Sequence, residues 1–260
     1  MKKYIANLKK YKSYMIYSAK SSLKADVAMS RLNWMWWILN PLLFMLVYTF
    51  VSLIVFGKGE KYFPVFVFLA LNLWNFFSAC VTRSTRLIKK NRSTISKVYL
   101  PKYMLVLTTM MEEGFKMCIA FSLLIFMIPI FHVPITWRVV FAIPIFIVVL
   151  VLTYAVSALS LNIGVFFDDL ANIITVLLRL VFYMSGIFYD INKRVPAPYN
   201  KLLLNCNPMG FLIHSMRKCV LYETVPNLKL MAFWFVVALV LAVIGTKLII
   251  KHENSYVKMI

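Results

Sequence analysis

The sequence predicts an all-α integral membrane protein with six transmembrane helices, an N-terminal amphipathic interfacial helix and short re-entrant helices between the fifth and sixth spans. Three observations carry that prediction. First, 62% of the 260 residues are hydrophobic, whereas soluble domains have roughly 45 to 50%, and the mean hydropathy is +0.80. Second, charge-free runs recur that reach the roughly 20 residues needed to cross about 30 Å of hydrocarbon. Third, the 29 Lys and Arg residues far outnumber the 9 Asp and Glu residues, and half of them fall in two short segments. Lys2, Lys3, Lys9, Lys10, Lys12, Lys20, Lys24 and Arg31 precede the first span. Arg83, Arg86, Lys89, Lys90, Arg92, Lys97 and Lys102 lie in one loop. Charge placed this way orients a membrane protein and attracts anionic headgroups, with the basic side cytoplasmic. It argues against nucleic acid as the partner.

Within residues 1–29, Tyr4, Leu8, Tyr11 and Met15 recur at helical spacing with lysines between them. That pattern suits a helix lying flat in the inner interface; a solvated basic tail is the alternative. No apolar h-region appears in the first 30 residues, so the first span is expected to act as an uncleaved anchor.

The first span, 34–56, carries no charge and begins with Trp34, Trp36 and Trp37, an interfacial aromatic belt. Pro41 predicts a kink or a closely packed neighbour, because proline removes a helical hydrogen bond. After an outer turn at 57–61, the second span covers 62–82. The basic loop follows, and Ser93 or Thr94 is placed to cap a short helix that ends before Pro101.

The third span, 103–131, has two placements. In one, a long helix enters at Tyr103 and carries Glu112 about 14 Å deep at 1.5 Å per residue, where an unpaired charge costs at least about 2.5 kcal/mol. Lys116, four residues on, then offsets Glu112. In the other, the span is 117–137, and Glu112 and Glu113 stay at the interface. The fourth span, 139–164, lies in an uncharged run. Asp168 and Asp169 follow, with Asp169 placed to cap the fifth span, 170–189. Arg179 sits inside that fifth span, as a functional residue or as a structural partner of Glu112 or Glu113.

Residues 190–229 form the long outer segment. Asn207-Pro208 reads as a helix start, with Phe211, Leu212, Ser215 and Cys219 sharing a face opposite Arg217 and Lys218. The sixth span, 230–250, leaves a short inner tail, 251–260. Cys206 and Cys219 are either a disulfide or isolated thiols, and Cys80 and Cys118 make no CxxC pattern. His132, His214 and His252 are too scattered to suggest a metal site.

No G-x-x-x-x-G-K-[ST] loop, GxSxG elbow or HExxH helix is present, so the chain is not expected to be an enzyme or to hydrolyse ATP alone. Aromatic residues are abundant, and aromatic faces stack on sugar rings.

SRLNWMWWILNPLLFMLVYTFV, LALNLWNFFS, ISKVYLPKY, ALSLNIGVFFDDLANII, FYMSGIFYDINKRVP and LLNCNPMGFLIHSMR, in that order along the chain, resemble the type-2 ABC export permeases. The nearest subgroup exports O-antigen, capsular polysaccharide and teichoic acid. Two departures stand out: Ser185-Gly186-Ile187 replaces the common Ser-Pro-Ile, and Asp168-Asp169 replaces an arginine-aspartate pair.

The resemblance implies a homodimer working with two copies of a separate ATPase subunit, which binds the ATP and Mg; no cofactor is expected in this chain. The implied cargo is a glycan polymer on a polyprenyl pyrophosphate lipid, exported across a bacterial cytoplasmic membrane in which both termini face the cytoplasm. Implied ATPase-coupling residues are Lys89, Lys90, Asn91, Arg92, Ser93, Thr94, Lys97, Asp168 and Asp169. Arg31 and Arg83 are the lipid-headgroup candidates. Trp34, Trp37, Tyr48, Trp74, Phe77 and Tyr183 are channel-lining candidates, and Glu112, Glu113, Lys116 and Arg179 are buried charges. Two alternatives stay open: a permease of the same type for a drug or small lipid, and a membrane enzyme acting on a lipid-linked sugar through Glu112 or Glu113.

Overall fold

The computed structural model describes residues 2–28, 32–55, 60–167 and 169–258, and among them there is helix and turn but no strand. Arg31 and Asp168, two of the candidate residues, lie outside the described residues. The helices are α1 (Lys2–Ala28), α2 (Trp36–Phe50), α3 (Phe63–Thr85), α4 (Leu87–Lys90), α5 (Arg92–Ile95) and α6 (Tyr103–Ile130). They continue as α7 (Ala142–Phe166), α8 (Leu170–Met184), α9 (Ile191–Arg194), α10 (Tyr199–Cys206), α11 (Pro208–Val220) and α12 (Leu228–Lys258).

Among the described residues, four helical stretches are long and apolar enough to cross a membrane: Phe63–Thr85, Tyr103–Ile130, Trp137–Phe166 and Leu228–Tyr256. Two shorter apolar helices, Trp36–Phe50 and Leu170–Met184, accompany them. Helix α3 is the centre of the bundle. It is apolar on every side and buried along most of its length, as a core helix must be, and α2, α6, α7, α8 and α11 surround it. Helix α12 lies along α7, where Gly245 lets the two backbones approach: a Cβ there would lie 2.9 Å from that of Ala158. Gly164 does the same between the ends of α7 and α3, since a Cβ there would sit 2.2 Å from the Thr85 carbonyl oxygen.

Several expectations are revised. The first span is not one regular α-helix: a 3-10 turn at Asn33–Met35 leads into α2, and Val51–Val55 continue it as a π-helical turn. The single helix expected before Pro101 is two four-residue turns, α4 and α5, and neither has a side-chain cap. The third span is the long helix starting at Tyr103. Asp169 occupies the N-cap position of α8 but makes no side-chain cap. Helix α8 stops at Met184, because Gly186 adopts φ +65; the common proline, with φ fixed near −65°, does not fit this backbone. The predicted tail is instead the last turns of α12, helical to Lys258.

Candidate functional site

At the end of the bundle where the basic loop lies, five charged side chains from three helices form one cluster. Arg83 at the end of α3 pairs with Glu112 at 3.2 Å, Glu113 at 2.9 Å and Asp26 of α1 at 3.5 Å. Lys116 pairs with Asp26 at 2.7 Å and with Glu113 at 3.2 Å. The expected Glu112–Lys116 offset is therefore redistributed: Lys116 takes Glu113, one turn back, and Arg83 takes Glu112. Both glutamates are buried, and burial of a charge is tolerated when it is paired. Burial pushes the Asp26 carboxyl up, but Lys116 and Arg83 outweigh it and hold the group below the ordinary carboxylate value. Through Asp26 the cluster attaches α1 to the bundle, and nothing in residues 1–29 taken alone signalled that. Arg179 does not join it: the residue is exposed on α8 and has no ion pair among the described residues.

Beside the cluster, a cavity of about 240 Å³ opens between α1, α3, α4 and α6, lined by Ser18, Ser22, Arg83, Arg86, Lys90 and Glu112 among others. Arg83 is committed to carboxylates. Arg86 and Lys90 make no ion pair among the described residues and supply the cavity's uncompensated positive charge. A second hollow lined by Thr85, Arg86, Lys89, Lys90 and Gly164 flanks α4. Lys89, Lys90, Arg92, Ser93 and Lys97 are exposed, while Asn91 and Thr94 are half-buried, Asn91 donating to the Leu87 carbonyl at 2.8 Å. Exposed Asp169 follows the C-terminal end of α7, which contacts α4.

The same end is braced by α12. Asn162 Oδ1 faces His252 Nδ1 at 3.0 Å and accepts from the Tyr256 hydroxyl. Glu253 meets buried Lys102 at 3.5 Å and accepts from the Tyr99 hydroxyl at 3.4 Å.

The six aromatic candidates divide. Trp34 and Tyr183 are exposed. Tyr48 stacks on Phe188 with ring centroids 3.7 Å apart. Trp37 stands edge-on to Phe115 at 6.0 Å, with Lys116 at 5.9 Å over its ring. Trp74 and Phe77 are buried inside the chain, Trp74 against Phe182 at 5.6 Å, so within this chain they are core residues. Phe77 borders an apolar cavity of about 540 Å³ between α3, α7, α8, α10 and α11.

At the opposite end, Asn207 caps α11 as expected, accepting from Gly210 N at 3.0 Å, and it also donates to Ser185 Oγ at 2.9 Å. Cys206 and Cys219 are free thiols. Arg217 is a correction: instead of lying on a polar face it is 2% exposed and donates to the carbonyls of Phe66, Gly186 and Ile187 at 2.6 to 3.2 Å. Alternation within α11 hid it, because an arginine beside a lysine reads as a solvated face.

Residues 16–221 match the ABC-2 type transporter model. The O-antigen export system permease protein RfbA of Myxococcus xanthus is 28% identical over 219 residues, 84% of each chain. The protein of that name from Klebsiella pneumoniae is 22% identical over 247 residues, 95% of this chain and 94% of its own. With a run of apolar helices around α3, a basic end and a match over most of its length, this chain belongs to the ABC-2 type transporter family of membrane permeases, which work with an ABC ATPase subunit.

Proposed function

We propose that the chain is the permease subunit of an exporter that carries a polyprenyl-pyrophosphate-linked polysaccharide or teichoic acid across the cytoplasmic membrane, as a homodimer driven by two ATPase subunits. The observation that carries this reading is the similarity to O-antigen export permeases along 84 to 95% of the chain.

In this reading the chain crosses six times with both termini cytoplasmic. Helix α2 and its π-helical extension, 36–55, span about 30 Å at 1.5 Å per residue. Helix α8, at fifteen residues, is about 22 Å long and falls short of a full crossing. Residues 185–220, with α10 and α11, complete that layer as a re-entrant hairpin on the outer side. The clustering of basic residues at one end of the bundle supports a cytoplasmic assignment for that end.

The exposed residues of the α4–α5 segment, Lys89 to Lys97, together with Asp168 and Asp169, form the docking surface for the ATPase. ATP-driven closure of the ATPase pair presses on this segment, and the ends of α3 and α7, in contact at Gly164 and Thr85, carry the push into the bundle. The cationic cavity under α1 receives the lipid pyrophosphate through Arg86 and Lys90, with Arg83 in its lining and Arg31 as a further headgroup candidate; charge-assisted contacts are the strong ones for phosphate. The ATP and Mg sites belong to the partner subunit.

The test is to purify the chain alone and co-expressed with its ABC ATPase partner. The expected result is no ATP hydrolysis alone and a stable two-plus-two complex that hydrolyses ATP. Deleting the gene is expected to abolish surface glycan and to accumulate its lipid-linked form inside the cell. A chain that turns over lipid-linked sugar without any ATPase would overturn the proposal.

A further inference from the structure

A recess of about 230 Å³ lies between α2, α3 and α6, and its lining includes Asn40, Asn72, Asn75, Trp37, Glu113 and Lys116. Its depth is the unusual feature. Asn72 and Asn75 are nine and twelve residues into α3, about 14 and 18 Å along a helix of about 33 Å, and Glu113 is about 15 Å into α6. The recess thus runs from the Glu113–Lys116 pair at the basic end of the bundle, past Asn40 about 6 Å into α2, to Asn72 and Asn75 near the middle of α3.

Asn72 is buried and its amide nitrogen donates to the Phe68 carbonyl at 2.9 Å. Asn40 and Asn75 are exposed at the rim, and neither side chain has a hydrogen-bond partner among the described residues. In hydrocarbon an unpaired amide costs several kcal/mol. At the depth of Asn75 the rim therefore does not face lipid; it faces a polar occupant of the membrane interior. Lys116 is fully used by Asp26, Glu113 and the Trp37 ring, so the recess offers neutral hydrogen-bonding groups and an indole wall rather than free charge. An amide presents both donor and acceptor, and an indole presents an apolar face with a polar edge. That combination fits a pyranose ring, with hydroxyls around its edge and C–H groups on its face.

We propose that this recess is a sugar-ring subsite on the translocation path, in which Asn40 and Asn75 exchange hydrogen bonds with hydroxyls of a passing glycan unit beside Trp37. The proposal rests on the glycan-export reading and locates the path on the α2–α3–α6 face.

The test compares the native chain with N40L/N75L and N40Q/N75Q in cells carrying the native ATPase, reading surface glycan, and in nanodiscs, reading transport of the lipid-linked glycan extracted from those cells. N40L/N75L is expected to lose tenfold or more of transport and to raise the half-saturating glycan concentration, at native membrane level and with the second permease copy and the ATPase still bound. N40Q/N75Q, which keeps the amides, is expected to recover transport to within a few-fold of the native chain. Native transport by N40L/N75L would overturn the proposal. So would loss of the protein or of its second copy, which would make the amides structural or inter-subunit contacts. If deleting the native gene leaves surface glycan unchanged, the export reading fails instead, a result separate from any effect of the asparagine variants.

Discussion

Arg217 holds Phe66 twice over: its guanidinium carbon lies 3.3 Å from the centroid of the Phe66 ring, and Nε and Nη2 donate to the Phe66 carbonyl at 3.2 and 3.1 Å. Nη1 reaches Gly186 O at 2.7 Å, and Nη2 also reaches Ile187 O at 2.6 Å. One planar fork therefore fastens α11 to the start of α3 and to the turn that ends α8. Gly186 makes this possible, because its left-handed backbone directs the turn that a Cβ would push into Ile191 at 2.6 Å.

Arg217→Ala is expected to destabilise the protein by on the order of 3 kcal/mol, since a buried cation is lost along with three carbonyls' partners. At roughly 2 to 4 °C per kcal/mol for a chain of this size, thermal unfolding in detergent would move down by about 10 °C. A guanidinium keeps its proton in proteins, so the group stays charged at neutral pH. Arg217→Lys keeps the charge but not the fork or the ring contact, and is expected to recover less than half the loss.

The Asp26–Arg83–Lys116 contacts predict how α1 is released. Asp26→Asn removes one carboxylate from the cluster, whereas Arg83→Gln strands Asp26, Glu112 and Glu113 with Lys116 alone, so R83Q is expected to be the more damaging. Limited proteolysis of α1 is the readout, with cleavage faster in the order native, D26N, R83Q. Asp26 also sets a pH window. Its folded pKa is depressed below the ordinary 3.8, so its contribution is present above that value and is lost as pH falls through the folded pKa. Attachment of α1 is expected to persist from neutral pH down to about pH 4 and to weaken below it.

How much of this was legible in the sequence follows from what each signal measures. Charge-free runs gave the apolar helices around α3, and the basic segments marked one end, because hydropathy and charge act on stretches of chain. The Asn207 cap was visible because capping is local. Arg217, Asp26 and Asn162 were not, since each is defined by partners 30 to 151 residues away. The two short turns α4 and α5 replaced an expected helix because the packing of α4 on α7 and the burial of Leu87, Ile88 and Ile95 outweigh weak local propensity. Trp74 and Phe77 looked like lining residues because an aromatic count carries no direction.

Asn162 yields the last prediction. Its single Oδ1 accepts from the Tyr256 hydroxyl and faces His252 Nδ1 at 3.0 Å, and a carbonyl oxygen has two lone pairs for two donors. Replacing Asn162 by Leu removes both, at about 1 to 3 kcal/mol for buried groups left unpaired, and frees the last turns of α12 from α7. Those turns also hold Tyr99 and Lys102 through Glu253, and Tyr99 and Lys102 border the segment proposed to receive the ATPase. A push on that segment meets a braced bundle in the native chain and a yielding one in the variant. In the reconstituted complex, N162L is therefore expected to hydrolyse several-fold more ATP per glycan exported while keeping its ATPase bound. An unchanged ratio would show that the end of α12 is a passive prop rather than part of the transmission.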